Sequence, residues 1–133
     1  MLVNRSMPAG AVITVLGYDD VAEAADWLCD TFGFTERWRA GSHRAQLAMG
    51  DSAVAITEGG SRGSNVMVRV DDVDAHYELA SKRGVQILDP PTDYPYGERQ
   101  YTAVDLGGHT WTFSQSIADL APEDWGGTSG TAI

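Results

Sequence analysis

Hydrophobic and polar residues alternate in two registers along this chain, and the switch between registers recurs. Val15-Leu16-Gly17-Tyr18-Asp19-Asp20-Val21 runs from a strand-like segment into a helix start, and Met67-Val68-Arg69-Val70-Asp71-Asp72-Val73 repeats the pattern 52 residues later. Behind the first copy, Val21, Ala24, Ala25, Leu28 and Phe32 fall at helical spacing and end before Gly33, with Asp20 and Glu23 resembling a capping box. Behind the second copy, Val73, Tyr77 and Ala80 make a similar stripe, Asp71 or Asp72 is available to cap it, and Gly84 sits where a terminating glycine belongs. After each helix come three strand-like runs: Thr35–Ala40, His43–Met49 and Ser52–Thr57, then Val85–Leu88, Gln100–Asp105 and His109–Gln115. The pattern predicts one α+β domain of two βαβββ modules, about 11–58 and 64–116. A glycine-bearing linker, Glu58–Ser64, joins them, and a two-proline, two-tyrosine insertion between Pro90 and Gly97 is predicted to be a rim loop. The first ten residues and the stretch from Pro122 to Ile133 are expected to be loosely ordered, Trp125 being the one anchor of the latter.

Composition narrows the function classes. The 133 residues suit a single core, and 43% hydrophobic against 21% charged is a folding composition rather than a disordered one. Nine basic against nineteen acidic residues leave a net charge of -10, the wrong sign for neutralising phosphates, so nucleic acid and anionic membrane are expected to be poor partners. No run approaches the roughly 20 apolar residues of a membrane span, and the start lacks the apolar stretch of a signal peptide. A lone cysteine, Cys29, excludes an internal disulfide, which leaves the cytoplasm as the expected location.

The repeat, the Asp-Asp-Val helix entries, the Phe32-Gly33-Phe34 triplet, Tyr96-Gly97-Glu98-Arg99 and the run Asp105-Leu106-Gly107-Gly108-His109-Thr110-Trp111-Thr112-Phe113 together resemble the glyoxalase/bleomycin-resistance/dioxygenase superfamily, the vicinal oxygen chelate proteins. The resemblance implies two sheets curled around a ligand cup, and a homodimer. It also implies, for metal-dependent members, His, Gln or Glu ligands on the first and last strand of each module. Carried over one by one, those positions fall on Ile13, Ala55, Asn65 and Thr112. Ile13 and Ala55 have no donor atom, so neither a metal nor another cofactor is expected.

Strand parity then lines the cup with Ile13, Val15, Ala53, Ala55, Thr57, Asn65, Met67, Arg69, Thr110, Thr112 and Ser114, and turns Trp111 and Phe113 toward the helices. That lining suits an organic molecule held by shape and a few hydrogen bonds. Trp38 reads equally as a stacking platform or as core. Arg99, following Tyr94 and Tyr96, reads equally as a ligand clamp or as a pin for the insertion. Glu98 reads as its structural partner or, if burial raises its pKa, as a general base. His43, His76 and His109 have no common spacing, His76 being expected to face solvent, and Cys29 reads as a small hydrophobe rather than a nucleophile.

The function expected from these residues is metal-free binding of a small or medium organic ligand, as in drug-sequestering members of the family. The net charge suits a cationic ligand, although solubility alone accounts for a charge of this size. The alternatives are an enzyme of the lyase or dioxygenase type with a rearranged or absent metal site, an acid-base catalyst using Glu98 and Arg99, and a partner domain with a vestigial cup.

Overall fold

The computed structural model describes residues 2–60 and 63–131, so that residues 61–62 of the linker and the last two residues of the chain lie outside it. Its chain order is β1 (Thr14–Tyr18), α1 (Val21–Phe32), β2 (Thr35–Ala40), β3 (Arg44–Met49), β4 (Ser52–Glu58), β5 (Asn65–Arg69), α2 (Val73–Lys82), β6 (Gln86–Tyr94), β7 (Glu98–Val104) and β8 (Thr110–Ser116). Two four-stranded sheets result, ordered β1-β4-β3-β2 and β5-β8-β7-β6, each with one parallel pair, β1 with β4 and β5 with β8. The predicted pair of βαβββ modules is what the chain forms. By contacts it divides into two compact units, residues 1–64 with 105–109, and residues 65–104 with 110–131 of those described.

In the first unit, α1 starts where the Asp20 carboxylate accepts the Glu23 N–H at 3.0 Å, and stops at Gly33, whose φ of 82° a side chain would resist. Its apolar stripe, Val21, Ala24, Ala25, Leu28 and Phe32, is buried together with Leu16, Leu47 and Ile56. The opposite face of that sheet carries Val15, Ala55, Gln46 and Trp38 in register. Ile13 lies one residue before β1.

In the second unit Asp72, one of the two candidates, caps α2 by accepting the Ala75 N–H at 3.0 Å. Beneath that helix Phe113 is fully buried, stacked on Trp111 and Tyr101. His76 is not turned to solvent as expected. Its ring packs on Phe113 with centroids 4.1 Å apart, and its Nδ1 lies 2.5 Å from the Tyr101 hydroxyl. An imidazole on a helix flank can bury its carbon edge while its nitrogen meets a partner, which helical spacing alone does not reveal.

The insertion is also corrected. Residues through Tyr94 continue β6 instead of forming a loop, with register breaks between Ile87 and Asp89 and between Asp89 and Thr92. Pro90 and Pro91 are tolerated because β6 is an edge strand and the breaks relieve their missing donors. The stretch after Pro122 likewise holds more order than expected, with a 3-10 turn at Pro122–Trp125 and the Trp125 ring set edge-on to Tyr96 at 5.9 Å.

Candidate functional site

Alternation along β5, β7 and β8 places Asn65, Met67 and Arg69, Glu98, Gln100 and Thr102, and Thr110, Thr112 and Ser114 on one side of the second sheet. Trp111 and Phe113, fully buried, take the other side, as parity predicted. On the open side the polar groups are joined. Ser114 Oγ donates to Glu98 Oε1 at 2.7 Å, Gln100 Nε2 donates to Ser114 Oγ at 3.0 Å, and the Tyr96 hydroxyl donates to Gln100 Oε1 at 3.1 Å. Thr102 and Thr112 share a hydrogen bond of 3.1 Å beside them, so the Thr112 hydroxyl is paired.

Glu98 closes one end of this file. Hydrogen bonds from Ser116 and Ser114 hold its carboxyl below the usual carboxylate range against the opposing effect of burial, with Arg69 adding a smaller pull in the same direction. A carboxylate stabilised in its ionised form is a poor general base, which removes the reading in which burial raises its pKa. Tyr94 and Tyr96 stack with centroids 5.5 Å apart at the other end, and Met67 lies open at 65% exposure. The arrangement carries an anion, a guanidinium and exposed Tyr96 and Met67 surface on one sheet face, over Gln100 and Ser114, which are themselves buried and bonded to each other.

Arg99 takes no part in it. Its neighbours in sequence, Glu98 and Gln100, point to the open side, so Arg99 points to the helix side, where it meets Asp74 at 3.1 Å and Asp93 at 2.9 Å. The structure therefore places this guanidinium as a tie between α2, β6 and β7, with Asp74 and Asp93 as its partners in place of the Glu98 that the sequence reading paired with it.

On the first sheet, Val15, Ala55 and Gln46 share a register row. Trp38, opposite Gln46 and half-buried, is neither plain core nor a free platform: its indole Nε1 donates to the Ser6 carbonyl at 2.9 Å.

The Asp105–His109 run, part of this first unit, forms a latch. Asp105 Oδ1 accepts the N–H groups of Gly107 and His109, both at 2.9 Å, while its Oδ2 takes the Tyr18 hydroxyl at 2.5 Å. Burial and the adjacent Asp105 push the Tyr18 phenol far above its ordinary range. His109 is fully buried, its Nδ1 accepting from the Ser64 N–H, so that Nε2 carries the hydrogen and donates to the Gly17 carbonyl at 2.8 Å. Both ring nitrogens are thus engaged in structure. A depression of about 250 Å³ beside this latch is lined by Tyr18, Asp19, Asp20, Glu23, Leu106 and Gly107. Its Tyr18 and Asp20 groups already serve the latch and the helix cap.

His43 stands elsewhere, exposed, with Nδ1 2.9 Å from Glu58. Among the described residues no group of three or more His, Cys, Asp and Glu side chains is placed to hold a metal ion. Cys29 is half-buried, its thiol pushed up by burial and then by Glu36, Asp30 and Asp26, which disfavours the thiolate.

A family model described as glyoxalase/bleomycin resistance protein/dioxygenase superfamily matches residues 11–113. The chain belongs to that superfamily. Among solved structures, TioX from Micromonospora sp. ML1 is 32% identical, covering 82% of this chain and all of its own, with a TM-score of 0.75. A superfamily protein from Nocardioides is 20% identical over 93% of this chain and 91% of its own, TM-score 0.68. Lactoylglutathione lyase from Agrobacterium tumefaciens is 15% identical over 83% and 96%, TM-score 0.70, a likeness that shows the fold alone. No curated protein matches. The metal that some superfamily members use does not fit here, because two of the four carried-over positions, Ile13 and Ala55, bring hydrocarbon where donors are required. No helix among the described residues is long and apolar enough to cross a membrane.

The sequence named Met67, Arg69, Tyr96 and Thr112 and missed Gln100 and Thr102 as members of the same face. Carrying the alternation of β8 across to β7 through Glu98 identifies both.

Proposed function

We propose that this protein binds a small or medium-sized organic molecule on the open face of its second sheet, without a metal and without turning it over. The hydrogen-bonded file Tyr96–Gln100–Ser114–Glu98 carries this reading. Each group is pre-oriented by its neighbour, which lowers the ordering cost of binding. The ionised Glu98 suits a ligand with a basic nitrogen, while Met67 and the tyrosine pair suit flat or apolar ligand surface. Sequestration of an antibiotic of the bleomycin type, in the cytosol and by a homodimer, is the form of this function we favour. Two-fold dimers are the commonest soluble assemblies, and the superfamily resemblance points the same way.

Thermal melts with a bleomycin-type glycopeptide and a set of flat aromatic amine antibiotics test it. Binding is expected to raise the Tm, the ligand's mass is expected to be unchanged after incubation, and Glu98→Gln is expected to weaken binding about tenfold or more through loss of a charge-assisted contact. A chemically altered ligand, or a protein-bound divalent metal whose removal unfolds the chain, would overturn the proposal.

A further inference from the structure

Three side-chain donors on the first sheet converge on two consecutive backbone carbonyls of the leading segment. Arg37 Nη2 donates to the Arg5 carbonyl at 3.0 Å, and Trp38 Nε1 and Gln46 Nε2 donate to the Ser6 carbonyl at 2.9 and 3.3 Å. Gln46 is only 2% exposed, and Arg37 Nη1 binds its Oε1, which turns the amide NH2 outward toward Ser6. The donor set is therefore pre-oriented from within the sheet.

The occupant is held differently. Leu2, Val3 and Val12 are at least 90% exposed, so this stretch lies on the sheet without burying those side chains. A local turn, in which Asn4 accepts the N–H groups of Ser6 and Met7, presents the two carbonyls. What the sheet recognises is thus main chain, and main chain is common to every peptide.

We propose that Arg37, Trp38 and Gln46 form a site for consecutive amide carbonyls, that residues 5 and 6 are its resident occupant, and that a peptide-type molecule with two such carbonyls displaces them. The leading segment then acts as a strap over a second binding face. This proposal is independent of the one above, which concerns residues of the second sheet.

Tryptic cleavage after Arg5 in the full chain tests the strap, because a protease must lift that segment to cut it and the rate follows the lifted population. Trp38→Phe keeps an aromatic side chain, though a smaller one, and removes the hydrogen bond to Ser6, and is expected to speed this cleavage roughly fivefold; equal rates in the two proteins would overturn the strap. The site is tested in the same full chain with a capped Gly-Ser octapeptide, which trypsin does not cut and which offers main-chain carbonyls. At saturating peptide, tryptic cleavage after Arg5 is expected to speed severalfold as the resident carbonyls are displaced. A cleavage rate unchanged by the peptide would overturn the carbonyl site.

Discussion

The two units share an order of elements and a register, yet their open sheet faces differ at matched positions. The row Val15–Ala55–Gln46 in the first corresponds to Met67–Thr112–Thr102 in the second, and Gly17–Thr57–Arg44 to Arg69–Ser114–Gln100. The second of these rows holds part of the polar file in one unit, and in the other it begins with a glycine. Gly17 is there for a steric reason: a Cβ on it would lie 1.8 Å from the Gly59 carbonyl oxygen and 2.8 Å from the Gly60 carbonyl carbon. The chain leaving β4 passes over this position at backbone distance, so the arginine that serves the second face has no room in the first. Duplication supplies two similar scaffolds, and the path of one linker decides which of them can build a polar site.

The largest expected effect sharpens the same comparison on the buried side of the sheets. Trp111 and Val54 occupy matched positions, opposite Val66 and Thr14. Trp111→Ala removes a fully buried ring stacked on Phe113 and should cost about 3–5 kcal/mol. Val54→Ala removes two carbons and should cost about 1–2 kcal/mol. Denaturant melts of both variants check the difference, and equal losses would mean that the second core does not rest on its tryptophan.

These asymmetries mark what was legible in the sequence. The two modules, the helix caps and strand parity were readable because they depend on local spacing: Asp20 and the Asp71–Asp72 pair stand just ahead of the helical stripes, Asp72 being the one that caps, and Trp111 and Thr112 fall where alternation puts them. Most of the candidate face followed from the same parity. Contacts between residues remote in sequence were not readable. The turn of His76 onto Phe113, the tie of Arg99 to Asp74 and the seating of Ser6 on Trp38 each join residues at least 25 apart, and periodicity carries no information about such pairs. Arg99 shows the cost of reading adjacency as proximity. It neighbours Glu98 in the chain, and for that reason lies on the opposite face of the sheet.

A smaller effect is expected from paired substitutions in the glycine-arginine row. Gly17→Ala pushes a methyl into backbone atoms that cannot swing aside, and should cost about 1–3 kcal/mol. Arg69→Ala truncates an exposed side chain and should stay within about 0.5 kcal/mol for folding while weakening ligand binding on the second face. If Gly17→Ala melts like wild type, the linker has freedom to move away, and the steric explanation for the difference between the two faces is wrong.

The smallest effect concerns Glu98, which distinguishes the second face by charge. Ser116 and Ser114 stabilise its ionised form in the folded chain, so its folded pKa lies below its unfolded one. In the range between the two, the unfolded chain binds more protons than the folded one, and stability rises with pH. The contribution is complete above the ordinary carboxylate range and is lost as pH falls through the depressed folded value. Because the group is only part-buried, screening by solvent keeps the effect small. Melting temperatures measured from neutral to acid pH should therefore fall slightly less steeply in Glu98→Gln than in wild type, with the two curves running parallel near neutrality. The Gln100 amide, which shares Ser114 with Glu98, keeps its Tyr96 partner in this variant, so the polar file should remain assembled while its charge is gone. Superimposable acid limbs would mean that the two serines do not hold the carboxylate in solution, and the pre-oriented anion on the second face would lose its support.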